Sequence, residues 1–569
     1  MNERINIRQL FYFILALIVI FACGLNIDVM DVDAAQYASM AREMSETGNY
    51  LEVTNRYHDY LDKPPLLFWL SSFSFGIFGI HNWAYKLPSF LFGLLAIWST
   101  YGLGKLLYSK QTGAVAALML ASCTAIFIVH NDIRTDTMLI GAVVFSIWQL
   151  QLWVRTKSWW NLLFGFAGIG VAMLAKGPLG FMMPALALSS EFAYKRQWRN
   201  FFRWQWLIGL AIIALILLPM CLGLYRQHGP RGLYFYFWEQ SFGRLTGDSP
   251  WGTKFDNGAG PFFFVHTFLW VFLPWSVLFV FGLWKNFVVL LKSRFREGFL
   301  PEALSTGGFV LTFIALSASK YKLPHYIYVT LPLASLIAAR FLLQDVLPRA
   351  KPWLFIVFRA LFDVLALALF AATGVVLFVI FGIAPWYLIV LCALFFAAAI
   401  CFRVKKNEAF PKLLYPLLFA VMAAYAAGNL HFYPQLLRYQ STSVAGKMVT
   451  EANVPPGAFV TYHDLFEHSM DFYSRRAVQY IHAVPRDLDS LLRTHSRVWI
   501  YTDEQGEKEI RDAALEVVPD EVGVYKKHYE LVESKRLPHF SVQFLTIPFL
   551  DPRTREERLR WRYLVTVKK

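Results

Sequence analysis

Residues 9–44 read QLFYFILALIVIFACGLNIDVMDVDAAQYASMAREM, and their order decides the fold class. The first part is an apolar run of the length that crosses the roughly 30 Å hydrocarbon core of a bilayer as one helix. It ends in Asn26, Ile27 and Asp28 instead of the small residues of a signal-peptide cleavage site, so the spacing predicts a retained membrane span. Two acidic residues follow, Asp31 and Asp33. Residues 34–47 then repeat Tyr37, Met40, Ala41 and Met44 at helical spacing, which predicts an amphipathic helix beside the membrane.

The rest of the chain repeats the first theme. Of 569 residues 57% are hydrophobic and only 16% charged, too few charges to cover a water-exposed surface. Apolar runs near 87–107, 112–130, 137–154, 159–175, 178–194, 205–225, 262–284, 303–319, 324–343, 360–381, 385–402 and 411–428 bring the expected spans to thirteen. Lys and Arg recur at alternate connections, from Lys105 and Lys110 to Arg403, Lys405 and Lys406. Positively charged loops stay in the cytoplasm, so the expected N-terminus is cytoplasmic and the C-terminus lies outside. The net charge of +15 is spread between spans and not gathered on one soluble module, which argues against nucleic-acid binding. The five cysteines, Cys23, Cys123, Cys221, Cys392 and Cys401, sit in apolar surroundings and form no disulfide framework or zinc motif.

The expected architecture is therefore a polytopic α-helical membrane protein. Residues 1–428 form the membrane domain, with long outer loops at 28–86 and 226–261. Residues 429–569 form a small soluble α/β domain, with β-like runs at 458–462, 498–501, 523–525 and 563–567 and a helix at 487–494. Residues 66–80 are apolar but short for a span and suit an interfacial helix.

Ionisable side chains at the ends of apolar spans are costly unless they face a cavity or a partner, so each is a functional candidate. The sequence supplies Asp33, Asp62 with Lys63, Asp132 with Arg134 and Asp136, Lys176, Glu239 with Arg244, and Lys320, Lys322, His325 and Tyr326. Structural alternatives stand beside each. Asp33 suits a helix N-cap, Asp62-Lys63-Pro64-Pro65 a helix start, the charges at 132–136 a mutual ion pair, and Lys176 a side chain snorkelling to headgroups. Taken together, carboxylates and basic groups converge on one membrane face, equipment for an anionic substrate and a hydroxyl that must lose a proton.

The order Asp33-x-x-x-Tyr37, Asp62-Lys63-Pro64, Asp136, Ala175-Lys176-Gly177, Trp238-Glu239 with Arg244, Pro274-Trp275 and Lys322-Leu323-Pro324-x-Tyr326 resembles the GT-C glycosyltransferases. The nearest branch by resemblance is the lipid A 4-amino-4-deoxy-L-arabinose transferases, kin to the protein O-mannosyltransferases. The resemblance, over about residues 1–430, implies an inverting transfer of a sugar from an undecaprenyl phosphate to a hydroxyl or phosphate. The acceptor would be lipid A or another envelope glycolipid, at the outer face of a bacterial inner membrane. Protein O-glycosylation is an alternative in the same class, and transport of lipid-linked sugars one in a different class. The resemblance implies Asp33 as general base and Asp136 as a second acid. It gives Lys63, Arg244 and Tyr326 to the donor phosphate, and Tyr37, Asp62, Asp132, Lys176, Glu239 and Lys322 to the substrate cavity. Some members bind a divalent metal through the glutamate and a following histidine. Here Gln240 holds the histidine's place, so no cofactor is certain and a divalent metal is left as an open alternative.

Overall fold

The computed structural model describes residues 5–243, 259–348, 352–404, 409–463, 465–519, 525–527, 529–542 and 545–569. Nine helices among them are long and apolar enough to cross a bilayer, from Ile7–Asn26 to Ala409–Tyr439. A tenth is broken, Lys110–Ala121 meeting Thr124–Asn131 at 52°. The other three expected spans are helical but short or interrupted. Leu179–Tyr194 has 16 residues, Leu304–Ser317 has 14, and the 262–284 run splits into Phe263–Val271 and Ser276–Lys292. The last long helix runs past the expected boundary at 428, reaching Tyr439.

Both interruptions have local causes. Pro274 has no N–H for the helical ladder, and the chain restarts at Ser276. The break at Ser122–Cys123 lies against it. Thr124 N–H donates to Leu273 O at 3.0 Å, and Trp275 Nε1–H donates to Ser122 Oγ at 3.0 Å. Tyr425 OH donates to Ser122 O at 2.9 Å. Non-helical backbone survives at membrane depth only where protein satisfies it. Here the two breaks satisfy each other.

The acidic stretch after the first span folds as the residue pattern predicts. Asp33–Thr47 is a helix, and Tyr37, Met40, Ala41 and Met44 are all buried. It packs on the short helix Leu66–Phe78 on one side and on His468–Ser474, from the C-terminal domain, on another. Val32 occupies the cap position and Asp33 is the first helical residue, so Asp33 does not act as the N-cap.

The C-terminal domain holds a five-stranded sheet in the order Gln479–Ile481, Phe459–Tyr462, Arg497–Asp503, Arg560–Lys568, Glu530–His539. The first three strands run parallel and the last two antiparallel to their neighbours. The helix Arg486–Thr494 buries Leu488 and Leu492 against the sheet. Of the expected run 523–525, residues 523 and 524 lie outside the described residues, and Tyr525 begins the short strand Tyr525–Lys527.

Candidate active site

A cavity of about 860 Å³ opens between the Asp33 helix, the starts and ends of several membrane helices, and the two short helices. Its polar end is lined by Asp33, Gln36, Tyr37, Tyr60, Asp62, Lys63, Arg134, Asp136, Lys176, His325 and Tyr326. Its apolar wall comes from Leu179, Phe181, Met182, Ala185 and Leu186 on Leu179–Tyr194 and from Ala315 and Leu316 on Leu304–Ser317. A charged mouth beside an aliphatic wall suits an amphiphile with an anionic head.

Each charged side chain at the polar end has a defined partner. Arg134, in the turn before Thr135–Thr156, donates from Nη1 to Asp33 Oδ2 at 2.6 Å and from Nε to Asp132 Oδ2 at 2.9 Å. Burial alone would lower the Arg134 pKa, but Asp132 and Asp33 override it and raise it, so the guanidinium stays charged. Asp136, on the first turn of the same helix, is 2% exposed and is paired with Lys176. Lys176 also sits over the Tyr326 ring, 4.4 Å from its centroid. His325 Nε2 lies 3.9 Å from the other Asp136 oxygen. Lys63 pairs with its neighbour Asp62. Tyr37 is buried, and desolvation with help from Tyr60 and Asp33 pushes its hydroxyl well above the ordinary tyrosine range, so it can only act as a neutral phenol.

This geometry separates the sequence-derived candidates. Asp33, Tyr37, Asp62, Lys63, Asp136, Lys176 and Tyr326 line one cavity. Lys176 turns inward to a carboxylate, where the sequence also allowed it to snorkel. The 132–136 charges do not pair only among themselves, because Arg134 is shared with Asp33 and Asp136 goes to Lys176. Asp132, Glu239 and Lys322 do not line the cavity. Asp132 is turned to Arg134, and Lys322 donates to Ala259 O at 2.9 Å. Glu239 stands on the π-helical turn Phe235–Gly243, whose Phe237 and Gln240 face the cavity instead. Arg244 lies outside the described residues. Two residues of the polar end were absent from the candidate set: Gln36, one turn along from Asp33, and Tyr60, shortly before the expected Asp62 and Lys63. Their signal was adjacency to stronger candidates. Among the described residues no cluster of three or more His, Cys, Asp or Glu could hold a metal ion.

The comparisons with known proteins agree with this architecture. A family profile described as Dolichyl-phosphate-mannose-protein mannosyltransferase matches residues 62–222. The chain is 24% identical over 413 residues to an undecaprenyl phosphate-alpha-4-amino-4-deoxy-L-arabinose arabinosyl transferase of Shewanella sediminis, covering 69% of this chain and 70% of that one. It is 28% identical over 320 residues to a protein of the same description from Proteus mirabilis, spanning about half of each, 54%. The crystal structure of ArnT from Cupriavidus metallidurans bound to undecaprenyl phosphate superposes with a TM-score of 0.69 at 18% identity, covering 90% of this chain and 96% of that one. The apo structure of the same protein gives 0.68 at 17% identity, with 98% of each chain covered. The chain therefore shares the fold of these ArnT structures, and its residues 62–222 resemble the protein-mannosyltransferase profile.

Proposed function

We propose that this protein transfers a sugar from a polyprenyl phosphate, undecaprenyl phosphate in a bacterial inner membrane, to a hydroxyl or phosphate of lipid A or another envelope glycolipid. The observation that carries the reading is the cavity itself, lined by Asp33, Lys63 and Arg134 together with a set of aliphatic side chains. An acceptor hydroxyl gives its proton to Asp33 as its oxygen attacks the anomeric carbon. The bond from that carbon to the phosphate oxygen breaks on the opposite face, with inversion, and the lipid phosphate leaves carrying the electron pair. Charge grows on the phosphate as the bond breaks, so cations fixed beforehand stabilise the transition state more than the ground state. Lys63 supplies one such cation. Its partner Asp62 has a side chain 37% exposed, which can turn to solvent when a phosphate takes its place. Arg134 has a different part, holding the Asp33 carboxylate aimed.

The protein acceptor is the second reading, and the description of the profile over residues 62–222 favours it. For either acceptor the proposal puts the chemistry at the outer face, with the N-terminus cytoplasmic and the C-terminal domain periplasmic, as the positively charged loops suggest. A reporter active only outside the cytoplasm should then work when fused after Lys569 and fail when fused after Arg199.

Mass spectrometry of lipid A and of total envelope glycans, with and without the protein, decides between the acceptors. Asp33→Asn should lower turnover at least about 10²-fold, the usual share of acid–base catalysis, while donor binding persists. Lys63→Ala should weaken use of the donor by roughly 10- to 150-fold, the loss of one charge-assisted contact. Full activity in Asp33→Asn would remove the catalytic base from this account.

A further inference from the structure

Two residues before Asp33, the side chain of Asp31 leaves the cavity and is buried, 9% exposed, against the C-terminal domain. Its Oδ1 accepts the Ser469 N–H at 2.9 Å, and its own N–H donates to Gln440 Oε1 at 3.0 Å. Gln440 Nε2 donates in turn to Val29 O at 2.9 Å. The same loop is gripped twice more, by Tyr473 OH accepting the Val29 N–H at 2.8 Å and by Lys447 paired with Asp28 at 2.6 Å. Asp31 Oδ2 is buried with no nitrogen or hydroxyl donor. It faces the carboxyl of Glu467, whose Oε2 accepts from Thr442 Oγ1 at 2.7 Å, the same Thr442 oxygen lying 2.8 Å from Ser469 Oγ.

Two ionised carboxylates have no donor between them, so that contact exists only with a proton. The surroundings say which partner holds it. Burial pushes Glu467 up, but less far than Asp31, because the Thr442 Oγ1–H that it accepts, its contact with Asp31 and the charge of Arg562 act against the shift. Asp31 is pushed well above the ordinary carboxylate range by burial and by the charge of Glu467. The other titratable groups bearing on the pair are His539, His468 and Tyr501. His539 Nε2 is 3.7 Å from Glu467 and is pushed down to about 4 by burial and Arg562. His468 is pushed down to about 4 by burial and Arg56. Tyr501 is held neutral by burial. Arg562 compensates only one negative charge at the pair.

We infer that Asp31 and Glu467 share a proton and so clasp the C-terminal domain to the turn that aims Asp33, making Asp31 a positioning residue for sugar transfer. The activity side of this rests on the transferase reading above; the clasp itself does not. An acid with a raised native pKa binds its proton more tightly folded than unfolded, so the clasp is complete at low pH and is lost as pH rises through the raised value. Asparagine at 31 imitates the protonated acid permanently, since its oxygen can keep the Ser469 N–H and its amide can donate to Glu467.

The test uses the full-length protein with Asp31→Asn and Asp31→Ala, read in two ways across neutral to alkaline pH. Hydrogen-exchange protection factors of residues 29–38 should fall with rising pH in the wild type, stay level in Asp31→Asn and be low throughout in Asp31→Ala. Sugar transfer should follow the same pattern, with Asp31→Ala about 10-fold down in kcat, the scale of one buried hydrogen bond, and the donor KM little moved. An Asp31→Asn protein whose protection declines with pH as the wild type's does would overturn the clasp. Wild-type protein that transfers no sugar at any pH would overturn the transferase reading, and the protection factors would still decide the clasp.

Discussion

Arg134 reaches from the turn between two membrane helices and donates to Asp33 Oδ2 at 2.6 Å, joining residues 101 positions apart in the chain. The guanidinium is shared with Asp132, so its orientation is fixed from two sides. A carboxylate held this way keeps one oxygen aimed while the other is free to meet a hydroxyl. Arg134→Ala should therefore lower turnover by roughly 10- to 150-fold while donor affinity changes little. Arg134→Lys should recover part of the loss, because lysine restores charge without the two-pronged geometry. Steady-state kinetics on both variants check this, and an unimpaired Arg134→Ala enzyme would detach Arg134 from the site.

Asp136 and Lys176 form a pair whose carboxylate side chain is 3% exposed and whose ammonium side chain is 14% exposed. Removing one partner strands the other, so Lys176→Met should cost about 3–5 kcal/mol, the usual penalty for an unpaired buried charge. Adding Asp136→Asn to Lys176→Met removes the stranded charge and should recover most of that stability. Thermal unfolding in detergent of the two single variants and the double variant measures the coupling.

A Cβ built on Gly223 would lie 1.9 Å from Leu51 O, closer than any real contact. Backbone cannot yield as a flexible side chain does, so Gly223→Ala must push away the loop that leads to Tyr60, Asp62 and Lys63. Lower thermal stability and a weaker donor KM are expected together. Gly374 has open space around it, and Gly374→Ala should leave both unchanged.

Asp471 is pushed up to about 6 by burial, although the Val478 N–H and Arg56 act against the shift. Its ordinary value is near 3.9, so its native state takes up the proton more readily than the unfolded chain. Stability from this group is present below about 4 and lost as pH rises to about 6. The difference in unfolding free energy between wild type and Asp471→Asn should fall across that window by at most about 3 kcal/mol and stay flat above it. A difference that does not change between pH 4 and 6 would contradict the assignment.

Much of the membrane domain was legible in the sequence because lipid allows few solutions: a long apolar run must be a helix, and a charge at its end needs a partner or a cavity. That argument found Asp33, Lys63, Asp136 and Lys176, which do line one cavity. It could not say which way a side chain at a span end points, which is why Glu239 and Lys322 were grouped with them. Hydropathy also passes smoothly over 112–130 and 262–284, since Ser122, Thr124 and Pro274 are too few to interrupt the apolar runs around them. The breaks exist because Pro274 removes a donor and the neighbouring helix can supply Ser122 and Thr124 in compensation. The links from Arg134 to Asp33 and from Asp31 to Ser469 join distant parts of the chain, and no local pattern encodes them.

The hold of the C-terminal domain on the loop before Asp33 also has a consequence for the order of synthesis. Asp33 leaves the ribosome long before Gln440, Ser469 and Tyr473, which come more than four hundred positions later. A nascent chain inserted up to its last membrane helix already carries Asp33, Lys63, Asp136 and Lys176, yet the turn that aims Asp33 still lacks three of its hydrogen-bond partners. The polar end of the cavity is therefore finished only when the tail has folded back on it, so translation must pass Tyr473 before the first acidic turn reaches its final shape.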